Sequence, residues 1–183
     1  MEAAKMISTV NGEWFVSDTR LGPMAHARLG IAQENSGKLV SLVRKEGKAL
    51  SVLNERGFMI CDGSPGIGCP VIASVSGASL VLVVTEPTVS GLHDLKRVAE
   101  LCRQLNVKAG VCINKADINQ EMSDKIEKEA DALRLPVMGR IRYDDAMTEA
   151  QVKKMTVIEN GEGLAVMDIV NLWRHIQDAI QGM

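Results

Sequence analysis

From about residue 55 onward, short aliphatic runs alternate with longer stretches whose apolar residues recur every three or four positions. No other feature of the sequence constrains the fold as tightly. The runs at 57–61, 80–84, 109–113, 136–141 and 156–158 have strand character. The stretches 92–105, 123–133, 144–154 and 163–181 have helical periodicity, with Leu95, Val98, Leu101, Cys102 and Leu105 forming one such stripe. Strands separated by helices, with little hairpin signal after residue 55, predict an α/β fold with a doubly wound, mainly parallel sheet and helices on both faces. The run Leu80-Val81-Leu82-Val83-Val84 is aliphatic at every position, so it is expected to be buried on both faces. Earlier in the chain, strands at 6–10 and 14–17 around Asn11-Gly12 predict a hairpin. Glu34-Asn35-Ser36 then marks the start of a helix reaching toward Leu53.

With 183 residues the sequence suits one domain. Its net charge of -2 and 3% aromatic content argue against a dedicated nucleic-acid binder, which needs a basic face and stacking platforms. The most apolar stretch falls far short of the roughly 20 residues that a membrane helix requires, so no membrane span is expected. No secretory leader is visible, and a cytoplasmic protein is the simplest expectation. None of the 4 Cys forms a CxxC pair, and Cys61 and Cys112 sit inside apolar runs. Reduced, mostly buried thiols follow. Met155 and Met167 are expected to fill the core.

In parallel sheets, ligands bind beyond the carboxyl ends of the strands, which directs attention to the loops 62–70, 85–91 and 114–119. The first reads Asp62-Gly63-Ser64-Pro65-Gly66-Ile67-Gly68 after an apolar run. This is the pattern of a Walker B carboxylate that holds Mg²⁺ through water, with the Gly66 amide free to approach a terminal phosphate. An Asp that merely caps the next segment fits the same residues. Asn114-Lys115-Ala116-Asp117 matches the NKxD pattern found around a nucleotide base. The Asn114 amide suits either purine edge, and the Asp117 carboxylate could accept from guanine N1 and N2 or simply start a helix. In the third loop Glu86, Thr88 and Ser90 could face a partner or substrate, or could cap the helix that follows. The three histidines lie at no metal-ligand spacing, no Gly-x-Ser-x-Gly elbow occurs, and no GxxxxGK[ST] phosphate loop is present.

Three blocks carry a closer likeness: DGSPGIGCPVIASVSGASLVLVVTEPTVSGLHDLKR at 62–97, INKAD at 113–117 and PVMGRIRYDDA at 136–146. Together they resemble the MinD-superfamily P-loop ATPases that contain an inserted ferredoxin domain, relatives of ParA and Mrp. The resemblance extends over essentially the whole chain, with 1–33 looking like the strand or hairpin region that follows the family's insert. It implies an ATP- and Mg-dependent protein in which Asp62 and Gly66 serve catalysis and Asp62 holds Mg²⁺ through water. It also implies that Asn114, Lys115 and Asp117 bind nucleotide, while Ser64, Pro65, Gly68, Glu86, Thr88 and Ser90 form switch or partner-facing positions. Complete members add a first strand, a KGGxGKT loop and cysteines for two four-iron clusters. These parts are missing from this sequence, so no iron–sulfur cluster is expected in it. The expectation is a carboxyl-terminal portion of a larger ATPase, or a chain completed by a homodimer mate or by a second polypeptide bringing the P-loop and ferredoxin parts. An isolated chain of this kind is not expected to hydrolyse ATP efficiently. A non-catalytic docking module and a guanine-reading fragment are the competing expectations.

Overall fold

The computed structural model describes residues 12–29 and 37–182, which divide into two compact units at the Ser76/Gly77 junction. The expected strand at 6–10 and the helix start at 34–36 lie outside the described residues.

In the first unit, β1 (Gly12–Thr19) and β2 (Gly22–Leu29) form an antiparallel hairpin in register Gly12↔Leu29 to Thr19↔Gly22. Its turn is at Arg20-Leu21, where Thr19 Oγ1 donates to the Gly22 carbonyl; the turn expected around Asn11-Gly12 reaches into residues outside those described. Helix α1 (Gly37–Leu53) packs on β2 and on the short α2 (Cys69–Val75), which begins at Gly68 with a proline in its first turn. Arg44 ties the two helices by donating from Nη1 to the carbonyls of Ala73 and Ser76, at 2.7 and 2.6 Å.

The run at 57–61 is not a strand. An apolar segment becomes one only when a neighbouring backbone pairs with it, and among the described residues none does; Ile60 is 82% exposed. Cys61, in that run, and Cys69, at the start of α2, are exposed, contrary to the expectation of mostly buried thiols, whereas Cys102 and Cys112 are buried.

The second unit is built on a three-stranded parallel sheet in the order β3 (Val81–Thr85), β4 (Ala109–Asn114), β5 (Val137–Ile141). Helices α3 (Val89–Gln104) and α4 (Gln120–Ala132) supply Leu92, Leu95, Ala99, Ile126 and Ala130, which pack with Val83, Val111 and Ile113. The opposite side chains of the strands, including Cys112 and Met138, pack on Leu172 and Ile176 of α7 (Leu164–Gln181). Successive residues of β4 thus feed two cores, the alternation a covered sheet requires. Helices therefore cover both faces of this parallel sheet, which bears out the α/β expectation over three strands.

Val84, at 58% exposure, departs from the expectation of two-sided burial. Strand β3 is an edge strand of this sheet, and α7 packs mainly on β5. Between β5 and α7 lie α5 (Ala146–Val152) and α6 (Val157–Asn160). The second replaces the strand expected at 156–158. Thr156 and Glu159 form a reciprocal capping box and Gly161 (φ 75°) closes the turn, so local capping outweighs the β-branched residues. Met155 and Met167 are both exposed rather than core filler.

Candidate functional site

The carboxyl edge of the second unit's sheet gathers the loops after β3, β4 and β5. Asn114 ends β4 in register with Ile141, and the chain then turns through Lys115, whose φ of 54° lies in the left-handed region. A non-glycine residue persists there only when its surroundings hold it. Three hydrogen bonds do so, and a cap on the following helix continues them. Ala116 N–H donates to the Ile141 carbonyl at 2.9 Å, and the buried Ser123 hydroxyl donates to the Ala116 carbonyl at 2.7 Å. Tyr143 N–H donates to Asp117 Oδ1 at 2.7 Å. Asn119 caps α4 by accepting from Met122 N–H at 3.0 Å. The NKxD turn is therefore fastened to β5 on one side and to α4 on the other.

Lys115 Nζ lies 2.8 Å from Glu86 Oε1, joining the loops after β3 and β4; the carboxylate holds the ammonium above its ordinary pKa. Thr88 caps α3, accepting from Gly91 N–H at 2.9 Å, and Ser90 Oγ lies 3.2 Å from Thr88 Oγ1. Thr88 and Ser90 thus serve the start of a helix. Among the described residues the Asn114 side chain makes no hydrogen bond, so its amide is available at the strand end.

The loop after β5 was not among those singled out from the sequence, and it contributes most of the remaining polar groups. Arg142 donates from its backbone N–H, Nε and Nη2 to the Asp168 carboxylate at 3.0, 2.8 and 2.7 Å, which holds Asp168 below its ordinary pKa. Asp144 accepts from Ala165 N–H and Ala146 N–H, capping the starts of α7 and α5 at once, and these donors lower its pKa. The Tyr143 phenol is raised above its usual range by the neighbouring Asp145 carboxylate, while the Lys115 charge opposes that rise. A tyrosine two positions beyond a parallel strand is the signal that could have found this loop.

Asp62, Ser64, Pro65, Gly66 and Gly68 belong to the first unit, and the NKxD turn belongs to the second. Asp62 is exposed and lines a cavity of about 630 Å³ with Ser64, Ser74 and Arg44. Gly66 has φ 88°, a conformation that favours glycine, and a Cβ there would meet nothing within 4 Å. Among the described residues no cluster of three or more His, Cys, Asp or Glu is placed to hold a metal ion. A lone carboxylate is still compatible with Mg²⁺, which takes one or two protein carboxylates and fills its sphere with water and phosphate oxygens. Among the described residues no helix is long and apolar enough to cross a membrane.

No protein-family model matches the chain. An uncharacterised protein of Methanocaldococcus jannaschii is 33% identical over 97 residues, covering 53% of this chain and 34% of its own length. A second uncharacterised protein of that organism is 26% identical over 132 residues, covering 72% of this chain and 43% of its own. The chain therefore spans less than half the length of these relatives. Among solved structures, the cell division ATPase MinD of Pyrococcus furiosus matches with a TM-score of 0.64 and 18% identity, over 78% of this chain and 59% of that one. The septum site-determining protein MinD of Pyrococcus horikoshii, complexed with Mg-ADP, gives 0.61 at 17% identity, over 75% and 55%. A ParA-family ATPase of Chlorobium tepidum gives 0.60 at 22%, over 75% and 56%. The structural neighbours are MinD/ParA P-loop ATPases, and the fold is of their kind.

Proposed function

We propose that this chain is the base-binding portion of an ATP-dependent MinD/ParA-like P-loop ATPase that works with a ferredoxin-type iron–sulfur module. Asn114, Lys115 and Asp117 form the nucleotide-binding turn, Asp62 holds Mg²⁺ through water, and Gly66 meets the terminal phosphate. Ser64, Pro65 and Gly68 in the first unit and Glu86, Thr88 and Ser90 in the second are switch or partner-facing positions, toward a homodimer mate or a complementing chain. The observation that carries the reading is the Asn114 to Asp117 turn, held at the carboxyl edge of a parallel sheet by three hydrogen bonds. Parallel sheets place ligands at that edge.

The sequence contains no GxxxxGK[ST], so the phosphate cradle and its lysine come from polypeptide outside it. Without them the chain binds nucleotide weakly and does not turn it over, because the electrostatic stabilisation of the transferring phosphoryl group is absent. The same absence favours a second reading, a non-catalytic module that docks a partner bringing the P-loop. A titration with Mg-ATP followed by ¹H–¹⁵N NMR separates the two. Saturable shifts centred on residues 114–117 support the nucleotide site, and an unchanged spectrum at millimolar Mg-ATP leaves the docking module.

A further inference from the structure

The second unit holds only two aromatic side chains, Trp173 on α7 and Tyr143 in the loop after β5, and Tyr143 alone stands at the carboxyl edge of the sheet. It is 52% exposed, yet its backbone is tied to the NKxD turn. Its backbone N–H donates to Asp117 Oδ1 at 2.7 Å, and the neighbouring Asp145 carboxylate raises its phenol above the usual range. With its backbone held in this way, the residue is kept beside the turn before anything stacks on it, which lowers the cost of ordering. The ring also stands near Lys115, whose charge is felt at the hydroxyl, beside the strand end where the Asn114 amide is available.

The same geometry changes the chemistry of Asp117. A carboxylate that reads guanine offers its two oxygens to the N1 and N2 donors. Here one of them already accepts a short, charge-assisted bond from the protein's own backbone.

We infer that Tyr143 is the stacking face for the purine base and that Asp117 is a positioning residue, which holds that face through the Tyr143 amide instead of selecting guanine. The inference rests on the nucleotide-binding reading and adds to it the residue that meets the base and the basis of its indifference to guanine. Asn114 then supplies the polar contact, which its amide can make to either purine, and the base is recognised chiefly by its π face.

The test uses the full chain and Mg-ATP and Mg-GTP titrations read by ¹H–¹⁵N NMR. Tyr143→Ala should weaken Mg-ATP binding by about tenfold or more, the usual loss when a stacking aromatic is removed, while Tyr143→Phe keeps the affinity within a few fold. Asp117→Asn retains a carbonyl oxygen for the Tyr143 amide, so it should bind both nucleotides much as the parent does. Asp117→Ala should weaken both in parallel and speed hydrogen exchange at the Tyr143 amide. Rescue by asparagine distinguishes positioning from guanine reading, because an asparagine amide would set a donor against the guanine N1–H. Parent-like Mg-ATP affinity in Tyr143→Ala would overturn the inference while leaving the nucleotide reading intact. So would a selective collapse of Mg-GTP affinity in Asp117→Asn. If neither nucleotide shifts the parent spectrum, the nucleotide reading fails and the stacking role fails with it.

Discussion

Ser123→Ala should destabilise the second unit by about 1.5 kcal/mol. Ser123 is fully buried in the first turn of α4, and its hydroxyl donates to the Ala116 carbonyl at 2.7 Å. Removing the hydroxyl leaves that carbonyl without its donor in a region closed to solvent, a loss of roughly 1–3 kcal/mol. The space vacated by a single oxygen, enclosed by Ser123 and Ala116, is too small to admit a bridging water. Against this, alanine is the better helix former by about 0.5 kcal/mol, which sets the net figure. Urea denaturation followed by Trp173 fluorescence in a Trp14→Phe background reports on this unit alone, since the other tryptophan belongs to the hairpin. With a slope of about 2 kcal/mol/M, the midpoint should fall by roughly 0.7 M. Gln120→Ala, an exposed change on the same helix, should cost less than about 0.5 kcal/mol. If Ser123→Ala and Gln120→Ala shift the midpoint equally, the buried hydroxyl does not hold the turn and the argument fails.

Gly163→Ala should cost at least about 2 kcal/mol in the same assay. Gly163 has φ 106°, and an added Cβ would collide with the Asp144 carboxylate and approach Ala146 Cβ to 2.9 Å; a silent substitution would contradict the left-handed geometry. Asp168, Asp144 and Asp124 have pKa values lowered by their donors, and Glu100 is lowered to about 2 by Arg103 and Gln104. A depressed carboxylate stabilises the fold above its unfolded pKa, and that contribution is lost as pH falls through the folded value. The melting temperature should therefore hold from about pH 7 to 5 and decline from about pH 4 toward 2, so a flat acid limb would remove these bonds from the account. Under native conditions a thiol reagent should label Cys61 and Cys69 quickly. Cys102 and Cys112 should resist because they are buried and desolvated, Cys112 being pushed up to about 11; peptide mapping that found Cys112 among the fast sites would reverse that expectation.

How far the sequence foretells this structure depends on whether a segment's partners also lie within the described chain. Residues 109–113 read as a strand and are one, because β3 and β5 flank them and both faces are covered. Residues 57–61 are also an apolar run and form no ladder among the described residues, since periodicity reports a tendency and pairing needs a neighbour. At 156–158 the sequence itself held the answer: Thr156 and Glu159 are a capping pair, a stronger signal than three β-branched residues in so short a run. The NKxD turn was legible as a strand-end motif. The use to which Asp117 is put was not, because its partner, the Tyr143 amide, lies 26 residues away.

The two groups of proposed site residues differ in how much of their geometry is already built without ligand. The turn at 114–117 is fixed by hydrogen bonds from β5 and α4 and carries a left-handed lysine, so energy from the fold already holds it in place. Asp62 and Gly66, by contrast, sit on an exposed loop whose preceding segment pairs with no strand among the described residues. A preformed base site spends little of its binding energy on ordering, whereas a loop that must be organised around a phosphate spends much of it. In the nucleotide reading, the base half therefore contributes affinity in this chain as it stands. The phosphate half contributes once a cradle orders the 62–68 loop. Adenosine and ATP should bind this chain with similar strength, and the two affinities should separate only when polypeptide carrying a P-loop is added.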